Sequence, residues 1–137
     1  MRLSTRQRPY ITNGRKGPLF NQIGDVIQIE TEGAHTYTVD EFSGPLILRD
    51  PNGAARSDVT PTAADLIAAD ASAQRGDCFR LEIRNIGTTG ETLTITAGTG
   101  VTISGTATIA VDNSKEFLCV VTGPTTVALY SLGTKVF

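Results

Sequence analysis

The feature that most restricts this chain is the two-residue rhythm of its C-terminal half. Phe79, Leu81 and Ile83 alternate with Arg80, Glu82 and Arg84, and Leu93 and Ile95 alternate with Thr92, Thr94 and Thr96. Thr106, Thr108 and Ala110 alternate with Ala107, Ile109 and Val111. Further on, Phe117, Cys119 and Val121 alternate with Leu118 and Val120, and Val127, Leu129 and Ser131 with Ala128 and Tyr130. Successive side chains of a strand point to opposite faces, so each run sets one face on a core and the other toward water. Gly87-Thr88-Thr89-Gly90, Gly98-Thr99-Gly100, Asp112-Asn113-Ser114 and Gly123-Pro124 separate the runs with turn residues. Strands recur every ~8–12 residues, the spacing of a sandwich or barrel, and tight turns between neighbours predict antiparallel pairing.

The N-terminal half continues the pattern less densely. Ile23, Asp25, Ile27 and Ile29 alternate with Gly24, Val26, Gln28 and Glu30, and Thr31-Glu32-Gly33 reads as a turn. Thr36-Tyr37-Thr38-Val39 is β-branched and aromatic, which predicts a second strand. Leu46-Ile47-Leu48 reads as a short buried strand, followed by the turn Asp50-Pro51-Asn52-Gly53. One helix is predicted, over Pro61 to Ala73, with Thr60 as N-cap, Pro61 in the first helical position and Gly76 as the left-handed residue beyond its end. The expected fold is therefore all-β: a small antiparallel β-sandwich with one short helix and an extended N-terminal arm.

Charge divides the chain in two. Residues 1–18 hold Arg2, Arg6, Arg8, Arg15 and Lys16 and no acid, while the remainder sets seven bases against 14 acids. Pro9, Gly14, Gly17 and Pro18 break regular structure within this basic stretch. The expected division is an arm over residues 1–20 and a β domain over 21–137. An arm of +5 on a body of −7 suits docking on an acidic partner surface, where it would become ordered. Its candidate contact residues are Arg2, Leu3, Arg6, Arg8, Tyr10, Ile11, Arg15, Lys16, Leu19 and Phe20: the bases steer, and the apolar side chains set residence time. Net charge of −2 argues against nucleic-acid binding by bulk electrostatics, and Tyr10 alone is thin support for base stacking. No apolar run approaches the roughly 20 residues that span a bilayer. The N-terminus lacks the apolar segment of a signal peptide, so no membrane partner is expected.

Residue types bound the chemistry. A single histidine, His35, excludes a site of several imidazoles, and two cysteines exclude a four-cysteine zinc site. Cys78 and Cys119 read as reduced, partly buried thiols, with a disulfide between them left open. Gly98-x-Gly100 is followed by no helix, so it lacks a phosphate cradle. Asp40, Glu41 and Asp50 read as solvated loop acids, with calcium the lesser alternative. His35 reads as a lone surface histidine, and Arg75-Gly76-Asp77 as the turn from helix to strand. No enzyme activity, cofactor or metal is expected. Residues 86–111 hold a single charge, Glu91, and form a candidate subunit interface.

The stretch from Thr38 to Leu132 resembles a domain that recurs in structural proteins of tailed phages and other double-stranded-DNA viruses. The resemblance rests on the succession GPLILRDPNGAARSDVTPTAADLIAA, GDCFRLEIRNIG, TLTITAGTGVTISGTATI, SKEFLCVV and TTVALYSLG. It implies a β-sandwich of jelly-roll type, usually trimeric, found in head decoration (cement) proteins, head fibres and tail-fibre modules. With no long fibre shaft and no second domain, the expectation is a decoration protein. It would be made in the host cytoplasm, assemble as a homotrimer and bind the major capsid protein on the capsid exterior. The alternatives are a receptor- or glycan-binding module of a fibre or adhesin, and a neck or connector component. The first would need aromatic platforms, whereas Trp is absent and Tyr10, Tyr37 and Tyr130 are dispersed.

Overall fold

A computed structural model of the chain describes residues 24–137. Of these, 46% lie in strands and 9% in helices, so the body is all-β. The elements are β1 (Val26–Ile29), α1 (Val39–Phe42), β2 (Leu46–Arg49), β3 (Arg56–Val59), α2 (Ala63–Ala68), β4 (Cys78–Asn85), β5 (Leu93–Thr96), β6 (Val101–Ser104), β7 (Thr108–Ile109), β8 (Asn113–Gly123) and β9 (Thr126–Val136). A six-stranded sheet runs β1-β2-β4-β8-β9-β6, and a three-stranded sheet runs β3-β5-β7.

The pairing is mixed, which corrects the antiparallel expectation. β1–β2, β2–β4, β3–β5 and β6–β9 are parallel; β4–β8, β5–β7 and β8–β9 are antiparallel. Tight turns dictate antiparallel pairing only between strands they join directly, as in the β8–β9 hairpin around Pro124 and Thr125. The parallel pairs are separated by long connections (residues 30–45 between β1 and β2, 50–77 between β2 and β4), as a parallel crossover requires.

Alternation sets the core as the sequence indicates. Ile29, Ile47, Leu81, Ile83, Phe117 and Leu129 from the large sheet pack in one cluster with Leu93, Ile95 and Ile109 from the small one. Tyr37, Phe42 and Ala63 from the connections complete it. Each fully buried side chain of this size contributes about 1.5–3 kcal/mol relative to exposure. The Asp50–Gly53 turn forms as expected, with Asn52 and Gly53 at φ 54° and 96°.

Among the described residues there are two helices where one was expected, and local hydrogen bonding sets the start of each. Thr36 makes a single parallel bridge to Val59, but Thr38 does not continue the strand. Its hydroxyl accepts the Glu41 amide at 3.2 Å, and its own amide donates to Glu41 Oε2 at 2.8 Å. This reciprocal capping box starts α1 and overrides the β propensity of the segment. In α2 the cap is Thr62, accepting the Asp65 amide at 3.1 Å, not Thr60. Thr60 is buried and its hydroxyl accepts the Gly98 amide at 2.9 Å, pinning the β5–β6 turn against the start of α2. A Cβ on Gly98 would lie 2.5 Å from the Thr60 carbonyl oxygen, so that contact requires glycine. α2 stops at Ala68, well short of Ala73. There Asp70 takes the Ser72 amide and hydroxyl, a local bond that competes with helix.

Candidate functional site

All ten candidate arm residues, from Arg2 to Phe20, lie outside the described residues. The structure describes the body over residues 24–137, and three parts of it bear on function.

The first is a buried polar network that the sequence reading missed. Arg49 ends β2 with its side chain on the same inward face as Ile47, and Asp58 faces inward from β3; both are fully buried. Arg49 Nε donates to Asp58 Oδ2 at 2.6 Å and Nη2 to Oδ1 at 3.2 Å. The remaining donors reach the Thr31 carbonyl at 3.0 Å, the Gly33 carbonyl at 2.8 Å and the Asp50 carbonyl. Asp58 also accepts the Tyr37 hydroxyl at 3.0 Å and the His35 amide at 2.8 Å. Burial, then the Asp58 carboxylate, push the Tyr37 phenol above its ordinary value, keeping it a neutral donor. The network ties both sheets to the 31–37 connection and leaves no reactive group open to solvent. Its signal was the phase of the β2 alternation, which puts Arg49 with Ile47.

His35 is not the isolated surface residue expected. Its Nε2 lies 3.0 Å from Glu41 Oε1, and its ring meets Tyr37 edge-on at 5.1 Å. Glu41 is likewise no free loop acid. Partial burial works to raise its pKa, but the Thr38 hydrogen bonds and nearby His35 outweigh this and hold it below the usual carboxylate value. Among the described residues, no group of three or more His, Cys, Asp or Glu is placed to hold a metal.

The second part is the pair of outer faces. The large sheet carries charge outward: Arg80 bridges to Glu116 at 3.3 Å, Lys135 to Glu82 at 3.2 Å, and the Arg84 guanidinium stacks 4.0 Å over Phe137. The small sheet turns outward Ser57, Val59, Thr94, Thr96 and Thr108, with no charge among them. Thr94 and Thr108 stand opposite each other with hydroxyls 3.4 Å apart. The charge-poor stretch 86–111 thus supplies most of one uncharged face. At the edge of the large sheet, β6 pairs with β9 only as far as Tyr130, and Leu132 and Val136 are exposed beyond.

The third part is a cleft of about 200 Å³ where β4 begins and β8 ends. Leu66, Phe79, Cys119, Val121 and Val127 line it, and Asp70 and Asp77 stand beside them. Both cysteines are free thiols, Cys78 exposed and Cys119 buried. Cys78 stands opposite Val120 and Cys119 opposite Phe79, so the two thiols leave the sheet on opposite faces. Burial, with a smaller contribution from Cys78, pushes the Cys119 thiol up to about 12. Arg75-Gly76-Asp77 forms the expected turn, with Gly76 at φ 97°.

A scan against protein-family models, a search of curated proteins and a search of solved structures each returned no match. Among the described residues, no helix is long and apolar enough to cross a membrane.

Proposed function

We propose that this chain is a capsid decoration (cement) protein of a tailed phage or related double-stranded-DNA virus. Its body is a β-sandwich of jelly-roll type that trimerises, and its cationic arm lies on the major capsid protein lattice at the outside of the head. The observation that carries this reading is the segregation of charge: five bases and no acid in residues 1–18, against seven bases and 14 acids in the rest. A tail of one sign on a body of the other is arranged to reach away from itself toward an acidic surface. The resemblance over Thr38–Leu132 supports it, as does the uncharged Ser57–Thr94–Thr108 face, which can meet copies of itself without desolvating charge.

The mechanism is multivalent clamping. A shell that expands and is then loaded from within must be held at many joints at once. Three arms on one rigid trimer raise the local concentration of each after the first binds, so individually weak contacts sum to a long residence time. Two variants test the two halves of the proposal. Deleting residues 1–18 is expected to leave a folded trimer that no longer cosediments with capsids. Thr94→Lys with Thr108→Lys is expected to give a folded monomer by analytical ultracentrifugation. Capsid binding undiminished by the deletion would reject the arm, and electron microscopy of virions without about 14.5 kDa subunits on the head would reject the whole reading.

A further inference from the structure

The cleft of about 200 Å³ opens between α2 and the large sheet. Leu66 of α2, Phe79 of β4, Val121 of β8 and Val127 of β9 form its walls. A cavity of about 150 Å³ lined by aliphatic and aromatic side chains accepts a benzene ring, so this one has room for a ligand body of phenyl size. Drug-sized molecules need roughly 300 Å³ or more. Water against such walls finds few hydrogen-bond partners, and an apolar body that displaces it gains affinity.

The rim carries charge of one sign. Asp70 and Asp77 line the cleft and no base does. Both are exposed, and neither forms an ion pair among the described residues. Each carboxylate is held through one oxygen. Asp70 Oδ1 accepts the Ser72 amide at 2.9 Å and hydroxyl at 2.7 Å, and Asp77 Oδ2 accepts the Gln74 amide at 2.9 Å. Asp70 Oδ2 and Asp77 Oδ1 accept no bond among the described residues. The Ser72 bonds hold Asp70 below its ordinary value, so it stays ionised near neutral pH. Because the held oxygens fix both side chains, a cation arriving at the rim does not have to order them first. Arg75 lines a shallower extension beyond Ala73, not the cleft itself.

We propose that the cleft binds a small organic cation, a primary amine carrying an apolar body of phenyl size. The body lies between Leu66, Phe79 and Val121, and the ammonium meets the Asp70 and Asp77 carboxylates at the rim. An ammonium carries three donors, enough for the two unpartnered oxygens and one water. A carboxylate ligand with the same body brings like charge to the two acids, and a neutral one brings no charge to either. The site involves no capsid contact, so it stands or falls separately from the decoration reading.

Methyl resonances of Leu66, Val121 and Val127 report occupancy in the full-length protein. Phenethylamine is expected to shift them and to saturate at about a tenfold lower concentration than phenethyl alcohol, the gain of a charge-assisted hydrogen bond. Hydrocinnamate should bind most weakly. Asp70→Asn with Asp77→Asn keeps an oxygen to accept the Ser72 and Gln74 bonds. It is expected to bring the amine down to the affinity of the alcohol and to leave the alcohol unchanged. Val121→Trp, which fills the cleft, is expected to abolish binding of both, with circular dichroism confirming that each variant is folded. No shift of these methyls with phenethylamine overturns the proposal. So does equal affinity for amine and alcohol, and so does amine binding undiminished in the double asparagine variant or in Val121→Trp. Tighter binding of hydrocinnamate assigns the groove to its Arg75 end and overturns it equally.

Discussion

Where β2 and β4 finish, the core is closed by polar side chains: Arg49, Asp58 and Asn85 are all fully buried and all hydrogen-bonded. Where β4 begins, it is flanked mainly by apolar side chains around a cleft, with Asp70 and Asp77 among its lining. The two ends belong to the same strands yet use opposite chemistry. A buried ion pair adds little net stability over an apolar replacement, but its donors and acceptors accept one arrangement of the surrounding loops. The Arg49 end is therefore specified by geometry, with carbonyls of Thr31, Gly33 and Asp50 drawn to one guanidinium. An apolar cleft makes no such demand. The contrast separates an end of the body fixed by directed hydrogen bonds from an end held mainly by non-directional apolar contacts.

That contrast breaks most easily at Arg49. Arg49→Ala strands the Asp58 carboxylate in the core and is expected to cost about 3–5 kcal/mol in urea unfolding. A loss under about 1 kcal/mol would mean that the closed end is not held by this pair. Asn85→Ala removes the donor to the Glu91 carbonyl (2.7 Å) and the Ile109 carbonyl (3.0 Å) and the acceptor for the Gly87 amide. Its expected cost is about 2–3 kcal/mol. Tyr37→Phe removes one hydroxyl from Asp58 and should cost about 1 kcal/mol by the same measurement.

Acid gives a smaller effect. Glu41 and Glu82 are both held below the ordinary 4.5, Glu82 chiefly by the Ser114 hydroxyl. A lowered folded-state pKa contributes stability that is present above the unfolded value and lost as pH falls through the folded one. Thermal midpoints should therefore decline below about pH 4.5, and the decline should be shallower in Glu41→Gln. At the cleft end, Cys78→Ser is expected to change stability by less than about 0.5 kcal/mol. Near neutral pH, iodoacetamide should modify one thiol per native chain and two in urea, because Cys119 is buried and its pKa stands at about 12. Rapid modification of both in the native state would show the cleft to be wider than described.

Period-two alternation was legible wherever one face is apolar, as in Leu81-Glu82-Ile83 and Leu93-Thr94-Ile95, and so was the Asn52-Gly53 turn. These are local signals. Partnership was not legible, because the registers of β1 with β2 and of β6 with β9 join segments far apart in sequence. The Thr38-x-x-Glu41 cap was present as a local signal but was outweighed by β-branched composition. Arg49 and Asp58 carried no local signal of their own, since only their joint inward phase on two strands marks them as a pair. The cleft had no sequence signal, since it is a gap between elements rather than a property of any one.

Inside the large sheet lie β8 and β9, made after every other described strand, while β1 and β2 at one side are made before the rest. On the ribosome, the early strands have no antiparallel partner until β8 emerges, and β6 has nothing to lie against until β9 follows. The β4 edge that β8 will occupy thus stays unpaired until β8 is made, and unpaired strand edges are prone to aggregate. Ribosome-bound chains ending before residue 113 should remain protease-sensitive throughout, gaining protection only once the final hairpin has left the exit tunnel.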